Sequence, residues 1–177
     1  VETDSVFESQ WGIPAPIVDE NGNVTNYNEI ESKFIEKCKE AYPNATDEDL
    51  TSQNNAVNQF ISYHLLPERI TWNKLVVHKN ELGYSWNNPT KLTIDCWEYY
   101  ETMGKPRRLL KLTEGSQTNG IRLNRHCTYD NSFFGTYDEI AVDRPGALVT
   151  QLNGGSSTNA LNGFYYPIDE VLVYDKD

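Results

Sequence analysis

Asn162-Gly163-Phe164-Tyr165-Tyr166-Pro167-Ile168-Asp169-Glu170-Val171-Leu172 is the stretch whose reading decides the fold. Asn-Gly tolerates the positive φ of a tight hairpin turn. Residues 164–166 and 170–174 are short runs of strand-forming side chains, and the aromatics among them suit packing on a sheet. Asp169 stands between the runs, where its carboxylate interrupts pairing and bonds nearby backbone amides. Just upstream, residues 150–162 contain Gly154-Gly155-Ser156-Ser157 and read as a flexible surface loop. Short strand candidates recur before that loop, at residues 69–77, 91–96, 109–113, 121–124, 139–142 and 147–152. The clearest is 91–96, where Leu92, Ile94 and Cys96 alternate with Thr93 and Asp95.

The first third of the chain has the other period. Asn26-x-x-Glu29 has the form of a capping box, and Ile30, Phe34, Ile35, Cys38 and Ala41 follow at helical spacing until Pro43. Thr46 followed by Asp47, Glu48 and Asp49 is a second helix-start signature. Ala56, Val57, Phe60, Ile61, His64 and Leu65 then form an apolar stripe closed by Pro67. Between Pro14 and Thr25 the chain reads as a loop, with a turn at Asn21-Gly22 flanked by Val18 and Val24. Asp19-Glu20-Asn21-Gly22-Asn23 lacks the alternating acids and distal glutamate of a calcium loop, so it predicts a turn and no metal site. Helices first and short strands later give an α+β class.

The 177 residues, with no internal repeat, suit one domain able to bury a core without metal or disulfide support. A formal charge of −11 argues against nucleic acid or an anionic membrane as partner. The basic residues Lys105, Arg107, Arg108 and Lys111, then Arg122 and Arg125, read as a solvated loop and strand face. Cys38, Cys96 and Cys127 are odd in number and lack metal-site spacing; one bridge or three free thiols both fit. No apolar run is long enough to span a membrane, and an export signal would lie upstream of Val1.

Motifs of catalysis are missing as well. The sequence has no Gly-x-Ser-x-Gly elbow, no His-Glu-x-x-His and no phosphate-cradling glycine loop. His64, His78 and His126 have no partner at a spacing that implies a dyad. The adjacent His126 and Cys127 point to opposite faces of a strand. The reading is a non-enzymatic chain with no catalytic residue, no cofactor and no metal.

The 162–172 stretch resembles the second signature of the fasciclin domain family, in which an Asn-Gly turn leads into a strand, an Ile-Asp pair and a strand ending in Val-Leu. Thr3-Asp4-Ser5-Val6-Phe7 resembles the first signature, a Thr-Asp followed by a short helix carrying a phenylalanine; Glu2 stands where that family usually has proline. Tyr63-His64, between aliphatic residues, resembles its Tyr-His motif. The resemblance covers about a third of the chain, and its insertion style is similar to bacterial fasciclin-domain surface proteins.

It implies a fasciclin-like fold over residues 1–177, helices packed against a twisted two-layer β-sheet wedge, with insertions near 12–45 and 86–159. It makes Thr3, Asp4, Asn162, Gly163 and Asp169 structural motif positions. It also implies that the N-terminal helices of the domain precede Val1, leaving an open sheet edge through which another chain could associate. The function implied is cell-surface or extracellular adhesion to a protein or polysaccharide, lipid-anchored through an upstream segment. The alternative is a passive spacer domain of a surface lipoprotein, and behind it a glycan-active hydrolase. Candidate binding residues are Tyr63 and His64 from the motif, for which a structural role competes. Tyr84 and Trp86 join them, in the turn-like Tyr84-Ser85-Trp86-Asn87-Asn88-Pro89, as a stacking surface for sugar rings.

Overall fold

The computed structural model describes residues 1–68, 96–114, 121–130, 138–150, 159–160 and 163–174. Among them are three helices, α1 (Asp4–Trp11), α2 (Tyr27–Ala41) and α3 (Ala56–Tyr63). The strands are β1 (Cys96–Glu101), β2 (Leu109–Glu114), β3 (Ile121–Leu123), β4 (His126–Asp130), β5 (Asp138–Arg144), β6 (Ala147–Leu148), β7 (Asn159–Ala160) and β8 (Gly163–Phe164). The class is mixed α+β, helices before strands. The chain divides into two compact units. One holds Val1–Pro67, Glu101–Arg108 and the chain from Asp169; the other holds Glu68–Tyr100 and Leu109–Ile168.

The first unit is helical. α1 starts at Thr3, whose extended backbone leads into the helix, and Asp4 sits in the first turn where the helix dipole favours an acid. Gly12 ends it at φ 67°, returning its amide to the Glu8 carbonyl. Residues 14–25 form the expected turn: Gly22 has φ 84°, Val18 and Val24 bridge, and the Asp19 carboxylate accepts from the amides of Asn21 and Asn23.

α2 begins where Asn26 predicts, but not by a capping box. The Asn26 side chain turns away from the helix, accepting from the Ile17 amide and donating to the Ala15 carbonyl, so it ties the loop down instead. No helix starts at Thr46. Asp47 and Asp49 accept from Ser52, Thr51 and Asn54 in a run of turns, a use of short acidic side chains that competes with helix formation. α3 is capped by Asn55, whose side chain accepts from the amides of Val57 and Asn58.

The face α3 buries keeps only part of the predicted stripe, at Ala56 and Phe60. Ala56, Gln59, Phe60 and Tyr63 are buried, a clean i, i+3, i+4, i+7 set, while Ile61 and Leu65 are about half exposed. The helix is rotated relative to its most apolar face because Gln59 has polar partners inside the unit. Around Phe60 lie Phe7, Trp11 and Phe34, with ring centroids 5.1–6.4 Å from it. Cys38, Tyr42 and Ala56 complete the core, and Val171, Val173 and Tyr174 pack on it. α2, within the stretch read as an insertion, thus supplies Phe34 and the fully buried Cys38.

The second unit carries the sheets. Its main sheet has the order β1-β2-β3-β6, with β2–β3 and β3–β6 antiparallel; β4 pairs with β5, and β7 with β8. Leu110, Leu112, Ile121, Leu123, Ala147 and Val149 are among its buried apolar side chains. β4 was not foreseen, and β8 stops at Phe164, short of the expected 164–166. Candidate strands 69–77 and most of 91–96 lie outside the described residues.

A tight crossing orders the bend between β3 and β4. Asn124 has φ 55°, its amide donates to the Lys111 carbonyl, and its own carbonyl accepts from Arg144 Nε at 2.7 Å. Gly146 approaches this bend with φ 75°, and its carbonyl accepts from Arg122. A Cβ at Gly146 would fall 2.4 Å from the Leu123 carbonyl oxygen and 2.7 Å from the Arg125 nitrogen. Both obstacles are backbone. Gly146→Ala therefore combines a left-handed conformation with a backbone clash, and should lower unfolding free energy by about 3 kcal/mol in urea titration.

Candidate functional site

The polar groups of the helical unit converge on residues 170–174. This run was expected to be a strand, but it belongs to none. Its amides go to side chains instead: Val171 donates to Gln10 Oε1 at 2.8 Å, Leu172 to Glu2 Oε1 at 2.9 Å and Tyr174 to the Tyr42 hydroxyl at 3.2 Å. A chain without a neighbouring strand must find acceptors for its buried N–H groups, and three side chains supply them. Gln10 also donates through Nε2 to the Asp169 carbonyl, so one amide side chain holds both sides of the bend at Glu170.

His64 links this segment to α3. It follows the last residue of the helix, and its Nδ1 lies 2.8 Å from the Phe60 carbonyl. Its Nε2 lies 2.8 Å from Glu2 Oε1, the oxygen that also receives the Leu172 amide. Both ring nitrogens thus face oxygen. The carbonyl can only accept, which places a proton on Nδ1. Nε2 faces the Glu2 carboxyl, with side chains only 10% and 4% exposed. Burial works against the charge on Glu2. The hydrogen bond from His64, its charge and the Leu172 amide outweigh that cost, and hold the Glu2 carboxyl below its ordinary value of 4.5.

Tyr63 is 1% exposed, edge-on to both His64 and Tyr174. Tyr63 and His64 are therefore built into the core rather than displayed to a partner. Thr3 and Asp4 are exposed at the start of α1, and the Thr3 hydroxyl bonds Ser5. Gly163 pairs with Ala160 in the β7–β8 hairpin. Tyr84, Trp86 and Asn162 lie outside the described residues.

A second polar centre sits in the same unit. Arg108 was read as part of a solvated loop, yet it is 8% exposed. Its guanidinium lies 4.8 Å from the Tyr42 ring centre and 4.6 Å from that of Tyr174, and Nη2 donates to Gln59 Oε1 at 2.6 Å. Gln59 in turn donates to the Gln53 carbonyl, and the Arg108 carbonyl accepts from the amide and hydroxyl of Thr102. Burial raises the Tyr42 hydroxyl above its ordinary value, and burial pushes the Cys38 thiol up to about 12, so that thiol stays protonated. In the second unit His126 Nδ1 meets Asp143 Oδ2 at 2.9 Å, both half exposed. Among the described residues no cluster of three potential metal ligands occurs.

Glu2, Gln10, Tyr42, Gln59 and Arg108 were missed as site residues. Gln59 had a signal, its i+3 relation to Ala56 and i−4 relation to Tyr63. The others are joined by contacts up to 170 positions apart in the chain, which local patterns do not report.

His64→Ala strands the Glu2 carboxylate in the interior and should cost about 3–5 kcal/mol in urea unfolding near neutral pH. Acid provides a second check. Because the folded Glu2 carboxyl titrates below its unfolded value, its contribution is complete above about pH 4.5 and is lost as pH falls through the folded value. Glu2→Gln keeps the acceptor oxygen and removes the charge. Its unfolding free energy should fall less steeply than the parent's between pH 5 and pH 3, and equal slopes would show that the pair does not couple to folding.

Set against protein-family models, curated proteins and solved structures, the chain matches none of them, and its own residues carry the functional reading.

Proposed function

We propose that this chain is a fasciclin-type adhesive module of the cell surface, binding a polysaccharide or protein partner without catalysing a reaction. One observation carries the reading. Residues flanking or within the stretches that resemble that family meet in one unit: Glu2 and Gln10 on either side of 3–7, Tyr63-His64, and 169–172 at the end of the 162–172 stretch. His64 and Leu172 share the carboxylate of Glu2, Gln10 of the first helix holds Asp169 and Val171, and Tyr63 packs on Tyr174. Segments so distant in sequence meet in this way when they are parts of one framework.

The buried ionisable groups support the non-catalytic half of the reading. Glu2 and His64 are spent on each other and on backbone, and the Cys38 thiol is kept protonated. Such groups brace a scaffold and leave recognition to exposed side chains. No described helix is long and apolar enough to cross a membrane, which is compatible with display outside the cell.

The test is direct binding of the purified chain to a panel of surface polysaccharides and matrix proteins, with hydrolysis followed on the same glycans. Saturable binding without turnover is expected. For a glycan ligand, Trp86→Ala should weaken affinity by about 1–3 kcal/mol, the effect of losing one aromatic anchor. Turnover abolished by a single carboxylate or histidine substitution would replace the proposal with a hydrolase, and absence of all binding would leave a spacer domain.

A further inference from the structure

Arg108 is the polar side chain whose surroundings are least complete. It is more than nine-tenths buried, and its Nε and Nη1 have no hydrogen-bond partner among the described residues. No carboxylate pairs with it there; its side-chain partners are neutral, the Gln59 amide oxygen and the Tyr42 hydroxyl. The two tyrosine rings, 4.8 and 4.6 Å away, offset part of the cost of burying the charge. They cannot accept the protons of Nε and Nη1 in the guanidinium plane. A guanidinium is always charged and presents five donors that match an oxyanion. Here no described residue uses the donors on Nε and Nη1.

We propose that Arg108 is the anchor of an oxyanion site in the helical unit, taking a carboxylate or phosphate group. The described form is the closed one. Nε and Nη1 are sealed from solvent, so the anion enters by displacing a cover, and the geometry identifies Tyr174 as that cover. Its ring lies on the guanidinium, it is only partly buried, and its amide bonds the Tyr42 hydroxyl at a long 3.2 Å. The opposite side does not yield as easily. Gly104 sits close enough that a Cβ there would lie 3.4 Å from Arg108 Cδ and 3.1 Å from the Thr102 hydroxyl oxygen. Thr102 in turn grips the Arg108 carbonyl through both its amide and its hydroxyl. The guanidinium is thus fixed from behind and lies between two rings, of which Tyr174 is the less buried. This site stands independently of the adhesive reading, since it uses no residue assigned to partner binding.

The experiment is thermal unfolding of the full chain in sodium phosphate and, separately, sodium acetate, with sodium chloride matched for ionic strength. At least one oxyanion should raise the melting temperature saturably, by roughly 5 °C at a hundred-fold excess over its dissociation constant, and chloride should not. The arm that responds distinguishes phosphate from carboxylate. Arg108→Met should fold, because an apolar side chain replaces an unpaired buried charge between two rings, and should lose the response. Gln59→Glu places a carboxylate on Nη2 from within and should weaken anion affinity at least ten-fold, which carries the test if the methionine variant fails to fold. A melting temperature that tracks ionic strength alone, or an oxyanion response of undiminished affinity in either variant, would overturn the site.

Discussion

The pairing of Glu2 with His64 is the interaction on which the rest of the helical unit depends. One carboxylate oxygen receives both the imidazole and the Leu172 amide, so the start of the chain, the end of α3 and the last described segment meet at a single atom. Neither partner can be exchanged for an apolar residue alone without stranding the other in the interior. The pair also fixes direction. An apolar contact tolerates sliding, whereas an imidazole held at both nitrogens sets the angle at which the chain leaves α3. The rings of Phe7, Trp11 and Phe34 pack on the buried core of Cys38, Tyr42, Ala56 and Phe60, and the Glu2–His64 contact ties together the segments that close over it.

The 170–174 segment shows the same division of labour. Its side chains, Val171, Val173 and Tyr174, pack on the core as those of a strand would. Its amides, lacking a ladder, are received by Gln10, Glu2 and Tyr42. The β-forming character of the run is real, but strand assignment needs a neighbour at hydrogen-bonding distance, and the helical unit offers side chains in its place. Composition reported the packing preference of these residues and could not report what lay opposite them.

The sequence was most legible where the determinant is local. The turn at Gly22, the start of α2 at Asn26 and strands β2, β3, β5 and β6 follow from propensity, positive φ or alternation. It was least legible where a polar side chain does long-range work. The apolar stripe of α3 runs through Ile61 and Leu65 in sequence, but the bonds of Gln59 to Arg108 and Gln53 bring that polar side chain inside. Asn26 reads as a capping residue and Asp47 as an acid of a helix's first turn, and both spend their side chains on loops. Arg108 looked solvated among other basic residues, and nothing within ten positions of it announces the two tyrosines that enclose it.

These misreadings share a physical cause with the candidate sites. A buried polar group is tolerated only with partners, and in this unit the partners come from residues 101–108 and 169–174, long after the helices in the chain. Residues 1–67 alone would leave Glu2 without the Leu172 amide, Tyr42 without Tyr174 and Gln59 without Arg108. The helical core is thus completed by chain that returns to it after the strands of the second unit have been entered, and loop-closure entropy makes such contacts late to form. Where every one of these returning groups is satisfied, the result is a brace. Where one is not, as at Nε and Nη1 of Arg108, the fold retains donor capacity that no described residue uses, and that surplus is the physical ground for a ligand.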